Sequence, residues 1–290
     1  MQPKPIEFQR RFDLGSNISS TFDFLKSNYK PLLSTLWFSC RWVFIIFIVA
    51  QGAYLYFAGD LQSSLTFQVG LDDDNLFKSL ISILIYFISA IVLFTLAQAT
   101  IYEFVLAYQR DSQTFDRKAI AEKAWGDIGT YLIANFAASL VIILGAMLCL
   151  IPGIYLWPPL SLVVAICVFE NTSVSNAFSQ AFKLIKDNWW ETFLTLVVLY
   201  LIVAFMGAIF QIPMYLYMFA SMFMEISDGG VDNIYAIAAD PIYLGLQLMA
   251  AICSTILYII IYVSTAFIYY NLNERRTQSG AMSRIETLGN

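Results

Sequence analysis

The stretch "SLISILIYFISAIVLFTLAQAT", residues 79–100, shows no polar face when it is wound as a helix. In a soluble protein a surface helix buries one stripe and wets the other. A run that is apolar all round, and about 20 residues long or more, instead suits a hydrocarbon core of roughly 30 Å. Several such runs occur here. The whole chain agrees with this one stretch: of 290 residues 59% are hydrophobic and 13% charged, where a soluble domain carries about 25% charged residues to wet its surface. The expected fold class is all-α, a polytopic membrane helical bundle of six transmembrane helices forming one integral membrane domain over 1–290.

Apolar length and intervening turn residues place the spans at about 32–58, 76–108, 129–151, 153–170, 191–223 and 241–271. Spans three and four are separated only by "IPGIYLWPP", where proline breaks the hydrogen-bond ladder and glycine allows a tight reversal. This predicts a hairpin turning at Pro152 and Gly153. Pro213 is expected to kink the long fifth helix. The first apolar run follows about 30 mixed residues with no cleavage-like site, so it is expected to act as its own uncleaved targeting signal.

The basic residues give an orientation. Lys4, Arg10, Arg11, Lys26 and Lys30 precede span one; Arg110, Arg117, Lys118 and Lys123 lie between two and three; Lys183 and Lys186 lie between four and five; Arg275, Arg276 and Arg284 follow six. With six spans all of these share one side. The other side collects Asp60, Asp72, Asp73, Asp74, Glu225, Asp228, Asp232 and Asp240, with Lys78 as the nearby base. The positive-inside rule then expects both termini in the cytoplasm of a bacterial inner membrane. The net charge of -5 reflects that acidic outer face, and nothing in the pattern asks for nucleic acid. The expected partner is the lipid bilayer, with protein partners left unspecified.

One segment is repeated. "TFDFLKSNYKPLL" from Thr21 aligns without a gap with "AFKLIKDNWWETF" from Ala181, 160 residues later. Upstream, Leu14, Ile18, Phe22, Leu25 and Tyr29 correspond to Val174, Phe178, Phe182, Ile185 and Trp189, an apolar stripe at helical spacing. Asn17, Ser20, Asp23 and Lys26, and in the second copy Ser175, Gln180, Lys183 and Lys186, form the other face. Amphipathic helices are expected over about 14–30 and 173–189, on the cytoplasmic side. Lys26, Tyr29, Lys183, Lys186, Trp189 and Trp190 are candidate membrane-interface residues. Packing of the same helices on the bundle is the alternative, and both stay open. A weaker third copy, "FDRKAIAEKAWGDIGTYL", precedes span three; three copies would make parallel two-span repeats.

"LIPGIYLWPPLSLVVAICVFEN" followed by "SVSNAFSQAFKLIKDNWW" resembles the core of the membrane domain that precedes the catalytic domain in some bacterial glycerophosphodiester phosphodiesterases, and a related group of six-span bacterial membrane proteins. The matching features are Pro152, Gly153, Tyr155, Glu170, Asn188 and Trp189, with a closing "IYYNLNERR". Asn271 stands where an aspartate is common and Pro159 where a basic residue often follows the hairpin. The resemblance implies a membrane module without the catalytic barrel.

Candidate intramembrane charges are Arg41, Glu103 and Glu170. Charges near a bilayer centre cost at least about 2.5–3.5 kcal/mol, so each needs a reason. Arg41 and Glu103 fall toward the same leaflet and could pair; snorkelling and packing, or a polar pocket, are the two roles. Gln51, Gln98, Asn135, Gln211 and Gln247 are expected to bond between helices, and "LDDDN" to be a solvated acidic loop. Histidine is absent and Cys40, Cys149, Cys167 and Cys253 are scattered. No catalytic, cofactor-binding or metal-binding residue is therefore assigned, and no cofactor. The expected function is that of a non-enzymatic integral membrane protein in envelope or lipid-related organisation. The alternative is a small transporter or channel built from the two-span repeats.

Overall fold

The computed structural model describes residues 14–67, 73–110, 115–227 and 240–277. Among them the regular structure is helical: α1 Leu14–Phe67, α2 Asp73–Arg110, α3 Arg117–Gly126, α4 Ile128–Leu148, α5 Leu150–Ser161, α6 Val163–Phe169, α7 Val174–Ile185, α8 Trp189–Ser227 and α9 Pro241–Thr277. Among the described residues six helical stretches are long and apolar enough to cross a membrane: Gly15–Phe57, Leu76–Arg110, Ile128–Leu148, Leu150–Phe169, Trp189–Met224 and Pro241–Thr277. Lys4, Arg10, Arg11, Asp72, Asp228, Asp232 and Arg284 lie outside the described residues.

Burial is arranged for lipid. Leu84, Ile88, Phe136, Leu144, Phe205 and Phe219 are exposed, whereas Thr35, Ser39, Ser82, Ser89, Thr95, Gln98, Thr100 and Ser264 are buried. In water this would be inverted. In a bilayer small and hydroxyl-bearing residues go between helices and the oiliest faces go to acyl chains.

Two compact units divide the chain. The first comprises residues 1–40, 94–201 and 259–290. Its core is α6, whose residues Val163 to Val168 are all buried, together with Phe24, which meets Phe104, Tyr108 and Phe267 edge-on at 6.3, 5.1 and 6.0 Å. The second comprises 41–93 and 202–258. There Tyr54 stacks on Tyr86 at 4.9 Å, and Ser79 Oγ donates to the Phe57 carbonyl at 2.9 Å.

Several local expectations change. The reversal between spans three and four falls at Cys149, the one residue between α4 and α5, whose backbone is extended (φ -165, ψ 144). Pro152 sits in the first turn of α5, where a missing N–H breaks no intrahelical bond. Gly153 is there for close packing, because a Cβ would lie 2.7 Å from Ala146 Cβ and 2.9 Å from its Cα. Gly145 faces it from α4, so the two helices approach closely, as small residues permit between membrane helices.

Span four is two helices. Pro158 and Pro159 lie inside α5, which ends at Ser161, and α6 starts after Leu162. Two missing donors weaken the ladder there. α6 ends at Glu170 because Asn171 takes a left-handed conformation (φ 47), with Thr172 N–H reaching back to Cys167 O at 3.3 Å. That bond is the signature of a Schellman cap, with asparagine in place of the usual glycine.

The first amphipathic segment, expected as a separate helix over 14–30, is instead continuous with span one through Pro31. Ser27, whose carbonyl loses its donor to Pro31, is exposed, so that carbonyl can be satisfied from outside the helix. The second copy does separate: Asn188 N–H turns back to Ile185 O at 2.9 Å, ahead of α8. A separate helix, α3, also precedes span three, N-capped by Asp116 through Lys118 N–H at 2.9 Å. α8 continues through Pro213.

Candidate functional site

The two repeated helices bury equivalent faces. Asn17, Thr21, Phe24 and Asn28 are buried on α1; the positions 160 residues later are Ala177, Ala181 and Leu184, all buried, and the half-buried Asn188. The stripe expected from hydrophobicity lies one residue further round. Phe22 and Tyr29 are exposed and Ile18 and Leu25 half-buried; in the second copy Val174, Phe178 and Phe182 are half-buried and only Ile185 is buried. The correction has a physical basis: the inward face mixes large apolar residues, Phe24 and Leu184, with small or bond-forming ones, Asn17, Thr21, Ala177 and Ala181, so it does not read as a continuous oily stripe. Asn17 accepts from Ser264 Oγ at 3.0 Å, and Ala177 and Ala181 let α7 lie close on α5 and α6.

Beside the outward stripe stand the lysines. Lys26, Lys30, Lys183 and Lys186 are exposed, and Lys30 Nζ lies 5.8 Å from the centre of the Tyr29 ring. Of the tryptophan pair, Trp190 is 69% exposed, while Trp189 is half-buried in a specific seat. It stacks between Tyr155 (5.5 Å, 18°) and Phe193 (5.0 Å, 9°), and its Nε1 donates to Tyr155 O at 3.0 Å. Pro159 accounts for that bond. Having no N–H, it leaves Tyr155 O without its i+4 donor, and the indole supplies one.

Next to Trp189 lies a polar clamp. Arg275, in the last turn of α9, forks onto Glu191 in the first turn of α8, with nitrogen–oxygen distances of 2.5 and 2.6 Å. It also donates to Asn188 Oδ1 at 2.8 Å and Asn271 Oδ1 at 3.2 Å. A bidentate charge-assisted pair fixes geometry more tightly than a point charge would. Asn17, Glu191, Thr192, Thr195, Ile268, Asn271 and Leu272 line a crevice beside it of about 10 Å³, the space of one water molecule. Nothing in the sequence singles out Glu191, and Arg275 reads there as a topogenic charge within the closing "IYYNLNERR". The nearest signal is the asparagine pair Asn188 and Asn271 in the resemblance.

The three candidate intramembrane charges part company. Glu103 is buried and its cation is Lys123 of α3: Nζ donates to Oε2 at 3.1 Å and lies 3.0 Å from Oε1. Oε1 nonetheless has no aligned hydrogen bond, so the second contact is electrostatic only. The guanidinium of Arg41 lies over its neighbour Trp42, 5.5 Å from the ring centre. The cation that Glu103 meets within its own unit is thus a lysine that α3 carries to it. Trp125 Nε1 to Ser39 O (3.1 Å) and Arg117 to Ser34 Oγ (2.5 Å) tie α3 down further. Glu170 is exposed and accepts from Tyr269 OH at 3.0 Å. Asn135 donates to Thr95 and Gln98, each at 3.0 Å, which is bonding between helices.

Among the described residues no group of three or more His, Cys, Asp or Glu is placed to hold a metal ion. The polar groups are spent on one another, which suits holding helix ends together. Compared with family models, curated proteins and solved structures, the chain finds no match in any of the three.

Proposed function

We propose that this chain is a non-enzymatic integral membrane protein of the bacterial inner membrane that works at the lipid interface, in envelope or lipid-related organisation. One observation carries the proposal. Exposed aromatics stand beside exposed lysines at both copies: Phe22 and Tyr29 with Lys26 and Lys30 on α1, and Lys183 and Lys186 at the end of α7 with Trp190 at the start of α8. Aromatic rings beside lysines are the composition that settles at an anionic headgroup layer. The positive-inside rule puts these helices, and both termini, on the cytoplasmic face. The resemblance to the membrane domain of glycerophosphodiester phosphodiesterases supports the lipid connection.

The test is lipid retention. Protein from mixed phosphatidylglycerol–phosphatidylcholine nanodiscs is examined by native mass spectrometry, wild type against Lys183→Ala, Lys186→Ala, Trp190→Ala combined. Loss of preference for the anionic lipid, on the order of fivefold, is expected; an unchanged preference removes the proposal. A transporter made of two-span repeats is favoured by a different observation, the broken fourth span, since discontinuous helices line many transport sites. Ion or solute flux into proteoliposomes above that of protein-free vesicles would select it.

A further inference from the structure

Three contacts within the first compact unit fix the level of the α4–α5 hairpin. The clamp between Arg275 and Glu191 sets the last turn of α9 beside the first turn of α8. Trp189, in that same first turn, donates to Tyr155, so Tyr155 belongs to this end of α8. Tyr269, about 9 Å back along α9 from Arg275, donates to Glu170. A fourth span that crossed the membrane would carry Tyr155 about 22 Å beyond Glu170, away from Arg275. The contacts put it on the other side of Glu170, toward Arg275. That mismatch of about 30 Å exceeds what the reach of these side chains can absorb.

The flanking segments agree. α7 has 12 residues, packs along α5 and α6, and returns the chain from Glu170 to Trp189 in about 18 Å. At the other limb, Lys123 just ahead of α4 holds Glu103, in the later part of α2, and Asn135 on α4 reaches Thr95 and Gln98. The first turns of α4 therefore run antiparallel to the end of α2, away from Arg110 and into the lipid, and the return limb α5 brings Tyr155 back to the level of the first turn of α8.

We propose that α4 and α5 form a re-entrant hairpin: it enters the lipid from the side of Lys183 and Lys186 and stays in that leaflet, its tip covered by acyl chains. The segment from Val141 to Leu156 contains no charged residue, and Met147, Leu148, Leu150 and Ile151 are each 69% exposed or more. A tip in water would expose all of these. The backbone limits the tip to shallow burial, about 5–10 Å below the headgroups: Cys149 N–H stays bonded to Gly145 O at 3.1 Å and Pro152 has no N–H to satisfy, but the first amides of α5 and the last carbonyls of α4 have no intrahelical partner and need the headgroup layer within reach. A hairpin that returns to its own side leaves the charge map unchanged, because two crossings and none have the same parity.

Cys149 is a natural probe, since Cys40 and Cys167 are buried. The full chain with Cys149 as its sole cysteine is reconstituted in vesicles and spin-labelled, with cysteine-free Lys183→Cys and Met224→Cys proteins marking the two sides. The expected result is no reaction with an impermeant maleimide from either side, and a label quenched by oxygen rather than by an aqueous nickel chelate, at a depth in the Lys183 leaflet. Labelling by the impermeant reagent from the Met224 side overturns the proposal, because the hairpin then crosses. Labelling from the Lys183 side overturns it too, because the tip is then in water. Should the cysteine-depleted protein not fold, the difference in labelling between wild type and Cys149→Ser gives the same decision.

Discussion

Trp189 Nε1 donates to the backbone oxygen of Tyr155, the carbonyl that Pro159 leaves without its helical donor. A side chain thus completes the backbone of another helix, and the loss of one is conditional on the other. Trp189→Phe keeps the ring stack but strands the carbonyl, with an expected cost of about 1–3 kcal/mol in detergent or bicelle unfolding. In a Pro159→Ala background, where an N–H returns, the same change should cost clearly less. Equal costs in both backgrounds would show that the bond contributes nothing.

Lys123 neutralises the buried carboxylate of Glu103, and its own side chain is 42% exposed. Lys123→Met is expected to destabilise by about 3 kcal/mol, the low end for breaking a buried pair, because part of the lysine already meets solvent. Adding Glu103→Gln should recover most of that loss.

Gly153 has no room for a methyl group. Its Cβ would come within 3.0 Å of the Ala146 backbone nitrogen as well as the Ala146 carbons, and backbone cannot step aside as a side chain can. Gly153→Ala should cost about 1–3 kcal/mol. Gly145→Ala should cost less, because the atom it meets, Leu156 Cδ1 at 2.8 Å, is the end of a mobile side chain. Thermal unfolding of the two variants side by side checks the order.

Asp240 caps α9, accepting from Ile242 N–H at 2.7 Å and Tyr243 N–H at 3.3 Å, with Pro241 as the first helical residue. The bond from Ile242 is the main reason its carboxyl lies below the ordinary aspartate range. A depressed acid contributes to the folded state above its unfolded value and loses that contribution as pH falls through the folded one. Amide exchange at Ile242 and Tyr243 should therefore be slow at neutral pH and rise in acid below about pH 4. In Asp240→Asn, which cannot ionise, it should show no such rise.

How far the sequence can be read depends on what each residue looks like alone. Six apolar stretches are legible because length and lack of a polar face are local properties. The phase of the repeated helices is not. Hydrophobicity selects Phe22 and Phe182, but lipid is as good a solvent for such rings as the core is, so the inward face mixes Phe24 and Leu184 with Asn17, Thr21, Ala177 and Ala181. Glu191 and Arg275 are 84 residues apart and each resembles an ordinary charge at a helix end. The level of the hairpin is hidden for a different reason, since the charge distribution that orients the chain is blind to a segment that leaves and returns on one side.

The separation of the clamp along the chain also fixes when it can form. Joining residues 84 apart carries a closure entropy that the pair itself is too weak to overcome, so it can close only after α8 and α9 are already side by side. Glu191 and Arg275 then have little part in the transition state for folding. Their replacement should leave the refolding rate nearly unchanged and speed unfolding, making this contact a determinant of the lifetime of the folded protein.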